Sequence, residues 1–220
     1  TAAALRRVAS SQGDGVRGTV RLTASEVVGV EVLPPILTAL RRQHPALVVE
    51  LVLSNQVDDL LRREADIAVR MVRPAQDALV ARRVGGIELG LYAHQRYLAD
   101  HGTPRTVAQL RRHALIGYDT ETAFIRQMQK RYPAFTRGAL AFRADSDLAN
   151  LAALRAGYGV GICHVALGRR DPSLVRVLAK EFAPVLDTWI AMHEDLREST
   201  RCAVTYAALV AGLKGYIAGT

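Results

Sequence analysis

The sequence predicts an α/β protein built from two similar halves, and three observations carry that prediction. Short runs with the two-residue period of a strand alternate with segments of helical period from residue 19 to residue 193. The first of them, in the order strand, helix, strand, helix, strand, imply right-handed crossovers and a parallel sheet. Residues 106–178 then repeat the theme with different details, and a long helix with apolar sides closes the chain at 200–217.

Taken in order, residues 2–9 read as a helical fragment, and Ser10-Ser11-Gln12-Gly13-Asp14-Gly15 as a flexible tether. Val20, Leu22 and Ala24 alternate with Arg21 and Thr23, as in a half-buried strand. Leu33, Ile36, Leu37 and Leu40 fall at helical spacing, and this helix closes at His44-Pro45 because proline pushes the residue before it out of the helical region. The apolar run 48–53 is expected of a parallel strand covered on both faces. A short amphipathic helix is predicted at 55–63, a third strand at 67–71 and a fourth from the alternation of Ile87, Leu89 and Leu91. Thr106 caps a predicted helix that runs to Arg112; strands follow at 115–118 and 139–143, and helices at 124–131 and 147–156. The remaining predicted strands are 159–165, 174–178 and 188–193.

Composition excludes several classes. The chain has 220 residues, half of them hydrophobic and 23% charged, which places it among ordinary globular proteins rather than disordered or membrane ones. No run approaches 18 apolar residues, and the start shows no apolar core of a signal peptide. The net charge of +8 is nearly all arginine, since Lys130, Lys180 and Lys214 are the only lysines. These arginines come as scattered pairs, such as Arg41-Arg42 and Arg169-Arg170, and not as one basic block; most are assigned to solvated helix faces and ends. Cys163 and Cys202 read as free thiols in a reducing, cytoplasmic setting, with no disulfide framework.

Catalytic signatures are absent from the pattern. His193-Glu194-Asp195 lacks a second histidine four residues on, and there is no Gly-x-Ser-x-Gly elbow or Cys-x-x-Cys pair. Gly157-Tyr158-Gly159-Val160-Gly161 leaves a predicted helix and enters a strand. A phosphate-binding loop needs the reverse order, so these glycines are read as a helix stop and tight turn. No enzyme activity, cofactor or metal is expected.

What remains are polar residues where predicted strands give way to helices, the place at which open parallel sheets collect ligands. Ser25 and Glu26 follow the first strand, Asn55 and Gln56 the second, Arg70 ends the third, and Ser146 and Asp147 open the later helix. Ser25 offers a hydroxyl and Arg70 a bidentate fork for a carboxylate. Each of these residues also has a plain reading as a cap or turn. His164 either lines a pocket or sits in the core or its rim. Val27, Val28, Val30 and Val32 form either a dimer surface or the filling of the first half.

These segments together resemble a known family. Gly18-Thr19-Val20-Arg21-Leu22-Thr23-Ala24-Ser25, Leu33-Pro34-Pro35-Ile36-Leu37, His44-Pro45 and Val49-Glu50-Leu51 are similar to the opening of the effector-binding domain of LysR-type transcription regulators. Asp59-Leu60-Leu61, the Ala65–Arg70 run, Leu79-Val80-Ala81-Arg82-Arg83 and Ala156–Ile162 continue the similarity in the same order. The resemblance implies a type-2 periplasmic-binding-protein fold, with two α/β lobes joined by two crossover strands and a small effector held between them. Residues 18–92 with 190–220 would be lobe I, 93–189 lobe II and 1–17 the remnant of a linker helix and tether. The effector-contacting places correspond to Ala24, Ser25, Glu26, Asn55, Arg70, Ser146, Asp147 and His164. The implied partners are a small-molecule effector, a carboxylate on the evidence of Arg70, and further copies in a homodimer or homotetramer, with no membrane. DNA would be reached only through a winged helix-turn-helix for which residues 1–17 are too short. The alternative is a solute-binding protein of the same fold serving a transporter.

Overall fold

The computed structural model describes residues 15–55, 65–74 and 79–219. The predicted helix at 2–9, the tether up to residue 14, and the segment 56–63 of the second predicted helix lie outside the described residues. The chain divides into two units, residues 1–86 with 186–220 and residues 87–185. It passes from the first to the second within β4 (Leu79–His94) and returns within β9 (Val185–His193).

The first unit holds β1 (Gly18–Ala24), β2 (Leu47–Leu53), β3 (Ile67–Arg70) and β9, ordered β2-β1-β3-β9. β1 pairs in parallel with both β2 and β3, and β9 runs antiparallel to β3. Strand alternation puts Val20, Leu22, Ala24, Ile67, Val69, Ile190 and Met192 on one face, where all are buried. Thr23, Ala68, Arg70, Trp189 and Ala191 occupy the other face. β2 departs from the expectation of burial on both sides: it is the edge strand, and Val48, Leu51 and Leu53 are exposed.

Two helices complete this unit, α1 (Leu33–Gln43) and the terminal helix, here α6 (Thr200–Ala218). Helical structure begins before α1, at Glu26, rather than at Leu33. Pro34 and Pro35 have no N–H with which to reach the carbonyls four residues back. The helix accommodates them by a widened turn over Val28–Val32, in which the Leu33 N–H bonds the Val28 carbonyl. Val28 and Val32 are buried there and Val30 is exposed, so the valine stretch belongs mainly to the core. α6 joins the far end of the chain to its first strand. Its buried Arg201 donates Nε to the Thr19 carbonyl at 3.1 Å, and Gly212 leaves room for Ile36 of α1, whose Cδ1 would lie 2.5 Å from an added Cβ.

The second unit is built on β5 (Leu115–Gly117), β6 (Leu140–Arg143), β7 (Val160–His164), β8 (Leu174–Val177) and the latter part of β4. β5 is parallel to β6 and β7, and β4 is antiparallel to β7 and β8. Its helices are α2 (Gln95–His101), α3 (Ala123–Arg131), α4 (Asp147–Arg155) and α5 (Val165–Arg170). α2 and α5 are absent from the sequence reading, and Val107–Arg112 is a tighter 3-10 helix. The apolar run 159–165 extends a strand pattern past His164, and its period cannot reveal that the chain turns helical at Val165. The glycine run is the predicted stop. Gly157 adopts φ +82°, its N–H bonds the Leu154 carbonyl, and the Tyr158 N–H bonds that of Ala153, which together close α4 as a Schellman motif.

Candidate functional site

Because β1, β2 and β3 are parallel, their carboxyl ends share one edge of the first sheet. Ala24 lies opposite Leu53 and Val69 in the register, so the residues that follow each strand come to a common level. Ala24 is fully buried, and its carbonyl accepts the Ser54 N–H at 2.9 Å. The half-buried Ser25 accepts the Gly29 N–H on its carbonyl at 2.8 Å, as a residue at a helix start does. Asn55 Oδ1 accepts the Glu26 N–H at 3.2 Å and so ties the exit of β2 to the start of the helix. The structure thus brings Ser25, Glu26 and Asn55 together at one strand-end mouth.

Arg70 ends β3 beside them and is only 3% exposed. Its Nη1 donates to the Val69 carbonyl at 3.0 Å and its Nη2 to the buried Thr23 Oγ1 at 2.7 Å. A guanidinium carries five N–H donors in a rigid plane, so two such bonds fix the orientation of the whole fork. Thr23 therefore acts through Arg70, a pairing that strand alternation alone does not show.

The second unit has a strand-end mouth of its own. Ser146 caps α4, its Oγ accepting the Ala149 N–H at 3.3 Å, and Asp147 accepts a short hydrogen bond from the Tyr118 hydroxyl. Sequence reasoning missed the turn after β5 that meets them. Asp145 accepts the N–H groups of Asp119 and Thr120 at 3.1 and 2.8 Å and the Thr120 hydroxyl at 2.7 Å. Those hydrogen bonds, chiefly from Thr120, hold the Asp145 carboxyl below the usual carboxylate range, and the nearby Arg137 adds to the effect. Arg137 is itself paired with Asp119 at 2.6 Å. Asn150 was also missed: its Nδ2 donates to the Ala144 carbonyl, while its buried Oδ1 has no partner among the described residues, an acceptor that a hydroxyl or amine would satisfy. His164 ends β7, is 8% exposed and lies opposite Leu89 in the register, in keeping with a core or rim position.

Among the described residues no group of His, Cys, Asp and Glu is placed to hold a metal ion, and no helix is long and apolar enough to cross a membrane.

Comparison with known proteins agrees with this architecture. The family model for the LysR substrate binding domain matches residues 13–214. A stretch of 99 residues, 45% of this chain, is 30% identical to an HTH-type transcriptional regulator of Xanthomonas campestris pv. campestris and covers 29% of it. Another of 102 residues, 46% of the chain, is 28% identical to the HTH-type transcriptional regulator CrgA of Neisseria meningitidis and covers 34% of that protein. The matched region thus spans about a third of the length of these relatives. Among solved structures, the CrgA regulatory domain from N. meningitidis is similar with TM-score 0.80 and 22% identity, over 90% of this chain and 99% of that one. Full-length CbnR complexed with its target DNA is similar with TM-score 0.65 and 17% identity, over 97% and 79%. At such identities the structural likeness establishes the fold, which is α/β, as the residue pattern predicts, and periplasmic-binding-protein-like, as the family resemblance implies.

Proposed function

Because this chain belongs to the LysR substrate-binding-domain family, we propose that it is the effector-sensing part of a LysR-type transcription regulator and binds a small carboxylate through Arg70. One observation carries the choice of ligand: a buried guanidinium, its plane fixed by Thr23 and Val69, stands at the same strand ends as Ser25, Glu26 and Asn55. A carboxylate is the planar two-oxygen partner that such a fork recognises, and the N–H groups at a helix start favour the same charge. Ser25 would supply a hydroxyl to the ligand, Ala24 the backbone that shapes the mouth, and Asn55 the brace that holds the helix start. Glu26 would exclude anions too large to avoid it. In the second unit the reading assigns effector contacts to Ser146, Asp147 and His164 at the ends of its own strands.

An effector that binds one conformation of the domain more tightly shifts the population toward it, and the shift is what a DNA-binding part would read. CbnR was solved with its target DNA, and DNA contact by the parent regulator is proposed here on the same footing. Assembly into a dimer or tetramer is proposed as well. The exposed Leu51 and Leu53 on one face of an edge strand, and the exposed Val30 on the helix after β1, offer apolar surface for a second copy. The similarity to transcription regulators favours this reading over a transporter's solute-binding protein.

Thermal-shift screening of the chain with acetate, benzoate, succinate, citrate and other metabolite carboxylates, each against its neutral amide, tests the ligand class. At about a hundred times its Kd, the effector should raise Tm by roughly 5–10 °C, and its amide should not. Stabilisation by neutral or cationic metabolites alone would reverse the assignment.

A further inference from the structure

At the end of β5 opposite the Tyr118–Thr120 turn of the second unit, α2 and the lead-in to β5 meet through three titratable rings. Tyr97 of α2 is buried, and its hydroxyl accepts the Ala114 N–H at 2.9 Å and lies 3.3 Å from His113 Nδ1. Its one proton is satisfied when it points at that nitrogen, which requires a His113 ring protonated on Nε2 alone. His101 uses its ring differently. Its Nδ1 lies 3.0 Å from the Tyr97 carbonyl, which only accepts, so this nitrogen carries a hydrogen in either charge state. The His101 ring also stacks on Tyr97 with centroids 4.3 Å apart and planes 11° from parallel.

Protonation therefore has opposite consequences at the two histidines. His101 keeps its hydrogen bond and its stack when charged, whereas a charged His113 turns Nδ1 into a donor and leaves the buried tyrosine proton without an acceptor. Burial holds the His113 pKa below the ordinary histidine value, and the neighbouring His101 adds to the effect. The titratable groups that face His113 are Tyr97 and His101, both on α2; Arg111 and Arg112, just ahead of it, are exposed.

We propose that Tyr97, His101 and His113 form an acid-sensitive latch that fixes the start of β5 at neutral pH and releases it when His113 takes up a proton. The position makes the latch consequential. β5 has only three residues, so His113-Ala114 at one end is rigidly coupled to the Tyr118–Thr120 turn at the other, where Asp145 and Asp147 are held. The Ala114 carbonyl meanwhile accepts the Val160 N–H at 2.8 Å, which carries the same disturbance to β7.

A base whose pKa is lowered by folding binds fewer protons in the native than in the unfolded state, so stability rises with pH between the two values. The stabilisation is complete above the unfolded value of about 6.5 and is lost as pH falls through the folded one. Tm of the chain, measured from pH 7.5 to 5.5 beside a His113→Asn variant, tests this; the Asn amide oxygen still accepts from Tyr97 but cannot titrate. The wild type should lose several degrees more than the variant over that range. Ring-proton NMR of the folded wild type should place the His113 midpoint below 6.5, and His101→Gln should move it up. Should His113 titrate at or above the ordinary value, or the two Tm profiles run parallel, the latch does not exist; if His113→Asn fails to fold, the NMR titration decides alone.

Discussion

Gly159→Ala is expected to lower the stability of the chain by about 3 kcal/mol or more. A Cβ at this position would lie 2.1 Å from the Ala114 carbonyl oxygen and 2.8 Å from its carbon. Both are backbone atoms, and the same carbonyl accepts the Val160 N–H, so it cannot swing aside without breaking the join of β7 to the lead-in of β5. Gly138→Ala is the control: nothing lies within 4 Å of its added Cβ, and its effect should stay within about 0.5 kcal/mol. Urea unfolding followed by far-UV circular dichroism distinguishes the two, and equal midpoints would show that the approach of Gly159 to Ala114 is not constrained.

Arg70→Met is expected to weaken carboxylate binding by roughly 10–100-fold, the range for losing hydrogen bonds to a charged group. Methionine keeps the apolar stem and removes the fork. Arg70→Lys should fall between the two, since an ammonium restores the charge without the planar pair of donors. Thr23→Val leaves the charge and removes only the hydroxyl that orients Nη2 at 2.7 Å, so its loss should be smaller, on the order of 3–10-fold. Calorimetric titration of the four proteins with a carboxylate found by thermal shift gives the ranking. Equal affinity in wild type and Arg70→Met would place the anion elsewhere.

Much of this was legible in the residues because local pattern and tertiary outcome agree. Val20, Leu22 and Ala24 alternate and are buried together; Gly157 lacks the side chain that its φ of +82° would strain, and it ends α4. The exit points of parallel strands put Ser25, Asn55 and Arg70 at one edge, and that inference needed only the strand order. What the sequence concealed depends on contacts between distant segments. The apolar run of β2 looks the same whether a strand lies inside a sheet or at its edge, and only the topology shows the edge. The helical spacing that begins at Leu33 suggests a helix starting there, yet a widened turn carries the helix back through Pro34 and Pro35 to Glu26. The Tyr118–Thr120 turn gave no motif because its role comes from Asp145, some 25 residues away in sequence. The Thr23–Arg70 bond spans 47 residues, and no periodicity announces it.

On the function proposed above, a small carboxylate is held at the strand ends of the first unit by Arg70. Backbone-amide NMR of the isotope-labelled chain, titrated with the carboxylate that most raises Tm, addresses it most directly. Saturable shifts are expected at Ser25, Glu26, Asn55 and Arg70, together with a shift of the Arg70 side-chain Nε–H resonance, all absent in Arg70→Met. Saturable binding that leaves those resonances in place would contradict it.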